Sequence, residues 1–149
     1  MDGINLYPNM TIVTEHFQYA VISHGSQPVY ILQADAADRE TIAAWIDFTV
    51  DIRADWADVT KPVYSIMDLS KNDISMTNMA NKRVLELAKV NPKLIAHTAL
   101  VLQRSTFASV IQATASVLNR TQHIFNTKVF DNREDAWLWL VSLMEQDGH

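Results

Sequence analysis

Hydroxyl and basic side chains follow two β-like segments of the chain, at points where helices are about to begin. Six of them could together bind an anion or accept a phosphate: Ser70, Lys71, Ser75, Thr77, Arg104 and Ser105. The free N–H groups of a helix N-terminus attract phosphate or carboxylate, and two cationic side chains would add to that attraction. Ser and Thr are also the ordinary caps of helix N-termini, so capping alone is the simpler alternative for the same residues.

Other kinds of site find little support in the sequence. The three glycines are Gly3, Gly25 and Gly148, so the expected strand-to-helix turns lack the glycines that phosphate-cradling loops of nucleotide-binding proteins require. Cysteine is absent, and no His pair has the i, i+4 spacing of a helical metal site. His97 is flanked by apolar residues, which favours a hydrogen-bonded core residue over a ligand. We therefore expect no metal, no cofactor and no catalytic residues.

Composition limits the class of protein. The chain has 149 residues, 48% of them hydrophobic, which is enough for one domain with its own core. The net charge of −5 and the scattered basic residues argue against nucleic-acid binding. The first residues lack the pattern of a signal peptide, and no apolar run is long enough to cross a bilayer. We expect a cytoplasmic protein without membrane insertion.

Alternating β and α periodicities predict how the candidate residues are positioned. After a loose lead-in over residues 1–9, the predicted order is β-β-α-β-α-β-α-β-α in a single α/β domain. The predicted strands are 17–23, 29–32, 63–69, 95–102 and 123–130, and the predicted helices are 35–55, 75–90, 105–119 and 132–145. Strands that alternate with helices pair in parallel through right-handed crossovers. The sequence therefore predicts a mostly parallel sheet of four or five strands, an N-terminal antiparallel hairpin strand and about four helices.

Apolar residues at helical spacing and in the predicted central strands define the expected core. The residues that we expect to be buried are Trp45, Ile46, Ile66, Leu100, Val101, Val110 and Leu140. In the last helix Trp137 should face the core, with Trp139 on its flank and Leu138 outside. The two adjacent outer apolar residues are a weak indication of self-association.

Two segments in this order of elements resemble a known superfamily. The first is Tyr64-Ser65-Ile66-Met67-Asp68-Leu69-Ser70, and the second runs from Val129-Phe130-Asp131 to Trp137-Leu138-Trp139-Leu140. Together they resemble the STAS superfamily, the sulphate transporter and anti-sigma factor antagonist domain, particularly its SpoIIAA-like branch. The resemblance covers roughly residues 15–145.

The resemblance implies a sheet with helices largely on one side and a non-enzymatic role. The hydroxyl that is phosphorylated in the family corresponds by position to Thr77, with Ser75 adjacent. Here Met76-Thr77-Asn78-Met79 lacks the acid before the hydroxyl and the glycine after it, which argues against a phosphorylation switch.

Two functions from different classes remain open. The first is a regulatory module that binds a protein partner, with a homodimer as one form of that partnership. The second is a carrier that binds an apolar or anionic small molecule between sheet and helices, and an enzyme ranks third. A lined cavity of roughly a few hundred cubic ångströms under the helices would favour the carrier, and a filled core with a flat exposed edge would favour the partner module.

Overall fold

The computed structural model describes residues 4–72, 78–121 and 123–147, without the side chains of 78–80 and 113–119. The strands are β1 (Thr11–Thr14), β2 (Phe17–His24), β3 (Gln27–Ala34), β4 (Val63–Asp68), β5 (Ala96–Val101) and β6 (Phe125–Phe130). The helices are α1 (Arg39–Ala54), α2 (Asn78–Leu87), α3 (Phe107–Thr121) and α4 (Arg133–Gln146), and a 3-10 turn, Arg104–Thr106, precedes α3.

The strands form one sheet in the order β1-β2-β3-β4-β5-β6. The β1–β2 and β2–β3 pairs are antiparallel, and β3 through β6 are parallel. The α/β class, the N-terminal hairpin and the parallel neighbours are confirmed. The predicted count of four or five strands was too low, because β1 is only four residues long and has no buried residue to give it a period-two pattern.

The two faces of the sheet are covered unequally. Helices α1, α2 and α3 follow β3, β4 and β5 through crossovers in one direction, which places all three on one face. Helix α4 lies alone on the other face, where Trp137, Leu140 and Met144 pack against buried residues of β3, β4 and β5. The family resemblance implied this arrangement, in which the helices lie largely on one side of the sheet.

The N-terminal segment is part of the fold from its first described residues. Leu6 is buried, and Ile4 packs against the same cluster under α4. The Leu6 carbonyl accepts a hydrogen bond of 2.6 Å from Arg133 Nη1. This packing differs from the loose lead-in predicted for residues 1–9, since a short segment outside any helix or strand gives no periodic pattern from which such docking could be inferred.

Two helices begin at side chains that cap their first turn. Asp38 caps α1 by accepting a hydrogen bond from the Thr41 N–H, and Asn132 caps α4 in the same way through Asp135. In α4, Trp137 is buried, Trp139 packs at the edge of the core, and Leu138 is exposed, as predicted.

Five of the seven predicted core residues are buried, and two predictions were wrong. The buried ones are Ile46, Ile66, Val101, Val110 and Leu140. Trp45 and Leu100 are only half-buried, because they line an internal cavity between α1, α2 and the sheet. Apolar periodicity reports which side of an element faces inward, and it carries no information on whether the interior is filled.

Candidate functional site

The loops that hold the predicted anion-binding residues do lie side by side at the carboxyl edge of the parallel strands. Gln103 donates a hydrogen bond of 3.0 Å to the Ser70 carbonyl and ties the loop after β4 to the loop after β5. Ser70 is half-buried, whereas Lys71, Arg104 and Ser105 are exposed. Ser75 and Thr77 lie outside the described residues, so the phosphorylation site predicted on them stays a prediction.

Carboxylates of the chain already occupy the polar groups of this edge. The Ser70 hydroxyl and backbone N–H both donate to Asp68 Oδ1, at 2.6 and 2.9 Å. Arg104 donates twice to Asp131 Oδ2, at 3.1 and 2.7 Å, and this contact is the main cause of the lowered pKa of Asp131. An incoming anion would have to compete with these carboxylates. In the described part of this edge, the geometry therefore favours turn formation by Ser70 and ion pairing by Arg104 over an anion site.

A polar cleft of about 160 Å³ lies beside this edge, between the β1–β2 turn and the end of β3. His16 Nδ1 lies 2.7 Å from Asp35 Oδ1, and Lys71 Nζ lies 3.9 Å from Asp35 Oδ2. The hydrogen bond with Asp35 raises the pKa of His16. Within residues 4–72, 78–121 and 123–147, no three His, Asp or Glu side chains come together as a metal site would require.

Asp68, the acid of the Asp-Leu-Ser segment, forms a buried ion pair. Arg133 Nε donates to Asp68 Oδ2 at 2.6 Å, and Arg133 Nη2 donates to Gln33 Oε1 at 2.8 Å. The ring of Tyr7 covers the guanidinium at 4.6 Å. The hydrogen bonds of Arg133 join the N-terminal segment, the sheet and α4. The buried ion pair therefore has a structural role.

The feature best suited to binding is the cavity between the sheet and helices α1 and α2. Its volume is about 150 Å³, and most of its lining is apolar. The floor comes from β3, β4, β5 and β6, including Leu32, Met67 and Leu100, and the roof includes Trp45 and Val84. A cavity of about this size lined by apolar groups can hold a molecule as large as benzene.

Polar groups interrupt this apolar wall in an ordered way. Tyr30, Ser65, Thr98 and Thr127 lie in register on four adjacent strands and all face the cavity. Arg53 of α1 also lines it and is buried. The sequence analysis missed these residues. Arg53 follows the buried Ile46 by seven positions, two helical turns, so the helical period already placed it on the inner side.

His97 has the structural role that its apolar neighbours predict. It is buried on the α4 face, where its Nδ1 lies 3.0 Å from Asn126 Nδ2 and its Nε2 lies 3.4 Å from Asp147 Oδ2. The Tyr64 hydroxyl also donates to Asp147 Oδ2. Burial lowers the pKa of His97. This cluster fastens the end of α4 to β4 and β5.

Among the described helices, none has both the length and the apolar character needed to cross a membrane.

Comparison with known proteins gives a match in structure. No protein-family model matches the chain, and no curated protein matches it in sequence. A crystal structure of an uncharacterized protein of the DUF3478 family from Shewanella loihica PV-4, described as having a SpoIIAA-like fold, superposes with a TM-score of 0.58 at 18% identity. The match covers 89% of this chain and 99% of that chain. The protein therefore has a SpoIIAA-like fold, as its sequence motifs suggested.

Proposed function

We propose that the protein is a non-enzymatic module that binds a small molecule with an apolar body between its sheet and helices α1 and α2. The observation that carries this proposal is the cavity of about 150 Å³ with a largely apolar wall. Small-molecule sites are typically concave, mostly apolar and equipped with a few polar groups that orient the ligand.

The unequal filling of the two faces supports this proposal. Residues at the interface between α4 and the sheet, among them Ile66, Ala99 and Leu140, are fully buried. On the other face Leu100 and Trp45 have the chemistry of core residues, yet they border unfilled space. A concave apolar surface that no side chain of the described residues fills is the kind of surface that a small ligand covers.

The test is a titration of the protein with benzene, followed by NMR of the methyl groups. We expect shifts at Leu32, Val84, Leu87 and Leu100, which line the cavity. The methyl groups of Leu140 and Val101, on the opposite face, are the internal control and should not move. An unchanged spectrum at saturating benzene, or equal shifts on both faces, would contradict the proposal.

A second candidate function is a regulatory module that works through protein contact, including self-association. It is favoured by apolar side chains exposed near the free edge of the sheet, with Ile12 at 73% and Val21 at 50% exposure, and by Leu138 of α4 at 61%. An edge strand also offers unpaired backbone groups to another chain. Sedimentation over a concentration series tests the homodimer. Association that Ile12→Arg or Leu138→Arg abolishes would support it, and a monomer at every concentration would remove it.

A further inference from the structure

Arg53 is a buried cation that holds the end of α1 to the loop before β5. Its side chain is 1% exposed. Nε donates to the Val90 carbonyl at 3.0 Å, and Nη2 donates to the carbonyls of Asn91 and Leu94 at 3.2 and 2.9 Å. The guanidinium lies 5.0 Å from the centroid of the Phe125 ring. These contacts satisfy two of its three nitrogen atoms.

The positive charge of Arg53 has no counter-charge in the part of the chain that the structure describes. No carboxylate lies within 4 Å of it there, and Nη1 is buried without a hydrogen-bond partner. Burial lowers the pKa of Arg53, although a guanidinium stays protonated near neutral pH. A buried charge without a counter-charge, and a buried donor without an acceptor, are both costly. The side chain that carries them lines the cavity.

The floor of the same cavity supplies further donors. Ser65 and Thr98 are directly paired across β4 and β5, with their hydroxyl oxygens 3.4 Å apart. Tyr30 and Thr127 extend the row on either side. In a wall that is otherwise apolar, such hydroxyl groups can orient a polar substituent of a bound molecule.

We propose that the ligand is a small monocarboxylate with an aromatic or short aliphatic body, whose carboxylate pairs with Arg53. This inference rests on the proposed function, because it names the ligand class for the same cavity. The carboxylate supplies both the acceptor for Nη1 and the missing negative charge. The body, about the size of benzene, lies against Leu32, Met67 and Leu100. The hydroxyl row donates to the second carboxylate oxygen or to a further polar substituent.

The first experiment compares benzoate, benzamide and benzene as test ligands for the full chain. The three share a ring, and only benzoate carries a charge. We expect benzoate to bind at least 10-fold more tightly than benzamide. Comparable affinities for benzoate and benzamide, or a preference for benzene, would overturn the inference and leave the proposed function standing. Absence of binding by all three would overturn both.

A direct readout of the pairing comes from the Nε–H resonances of the arginines. Benzoate should shift the resonance of Arg53, and benzamide should shift it much less. Arg133 is the matched control, because it is also buried and its charge is already paired with Asp68. A benzoate-induced shift at Arg133 with none at Arg53 would contradict the assignment of the carboxylate to Arg53.

Two substitutions separate ligand binding from folding. Arg53→Met should remove the preference for benzoate over benzamide while benzene binding persists. Because this change also removes donors to three backbone carbonyls, Thr98→Val provides a test that leaves the loop contacts intact. It should weaken benzoate binding several-fold, whereas the exposed control Thr11→Val should leave it unchanged. Equal benzoate affinity in Thr98→Val and wild type would exclude the hydroxyl row from the site.

Discussion

Two buried arginines on opposite faces of the sheet differ in how their charge is compensated. Arg133 is 4% exposed, and Asp68, the Leu6 carbonyl, Gln33 and the Tyr7 ring surround its guanidinium. Arg53 is more deeply buried, and its described neighbours are backbone carbonyls and the Phe125 ring. A buried cation compensated within the chain is a structural device. One that borders a cavity and lacks a carboxylate is a candidate for binding.

The same contrast extends to the surrounding side chains. Around α4 the apolar residues are fully packed, and each polar group of the Arg133 cluster has a partner. Around the cavity, some apolar residues, among them Trp45 and Leu100, are only half-buried, and hydroxyl groups line the floor. Stability should therefore depend more on the α4 face, and ligand response more on the α1–α2 face.

The largest expected effect is that of Asp68→Ala on stability. Removing one partner of a buried ion pair leaves the other charge uncompensated, which typically costs about 3–5 kcal/mol. The measurement is the free energy of unfolding in denaturant. A loss below about 1 kcal/mol would mean that Asp68 does not compensate the charge of Arg133, and it would contradict the proposed difference between the two arginines.

Leu140→Ala and Leu100→Ala compare the two faces with the same chemical change. Leu140 is fully buried on the inner side of α4, so its truncation should cost about 2–5 kcal/mol by creating a cavity. Leu100 already borders open space and loses fewer contacts, so we expect a loss of about 1–2 kcal/mol. Equal losses in denaturant unfolding would show that the cavity face is as tightly packed as the α4 face.

Two threonines sharpen the comparison for polar groups. Thr106 is buried, and its hydroxyl donates to the Gln103 carbonyl at 2.8 Å, so Thr106→Val should cost about 1–2 kcal/mol. Thr98 has a long contact of 3.4 Å to Ser65, so Thr98→Val should change the unfolding free energy by less than about 0.5 kcal/mol. A larger loss from Thr98→Val would assign its hydroxyl a structural role.

The smallest effects concern two histidines whose pKa values should move in opposite directions. His16 should titrate above its ordinary value because of its hydrogen bond with Asp35, and His97 should titrate below it because of burial. The His16 contribution to stability is present below a pH of about 6.5 and is lost as the pH rises through its native pKa. The neutral His97 contributes above about pH 6.5, and that contribution is lost as the pH falls.

Imidazole NMR titration measures both values. Asp35→Asn should lower the pKa of His16, and Asp147→Asn should lower that of His97 further, since Asp147 partly offsets the effect of burial. A His97 pKa above 6.5 would show that its charge is compensated more fully than its surroundings suggest.

The sequence predicted the fold well because its signals are local and strongly periodic. Trp137, Leu140 and Met144 mark the buried side of α4, and Asn132 marks its start. Strand β1 was not predicted because none of its four residues is buried, so the strand has no inward-facing pattern. The docking of Leu6 was missed for a different reason, since its partner Arg133 lies 127 positions away and no local signal links them.

Less of the candidate site follows from the sequence. The anion site at the carboxyl edge stays a prediction, and pairs such as Arg104 with Asp131 depend on spatial distances that spacing along the chain cannot give. The cavity could not be predicted from the sequence, because it depends on the volume left between helices and sheet. The burial of Arg53 could have been predicted, since its position in the helical period is on the inner side of α1. An inward arginine in an apolar stripe is unusual and would have marked it as a candidate.

The contact between Leu6 and Arg133 also constrains the order of folding during synthesis. The apolar face of the sheet that includes Tyr64, Ile66 and Ala99 cannot be covered before the ribosome has made α4, near residue 140. Until then a hydrophobic face of β3, β4 and β5 is open to solvent, and such surfaces are prone to aggregation in nascent chains. The α4 face, the better packed of the two, is therefore the one that must form last.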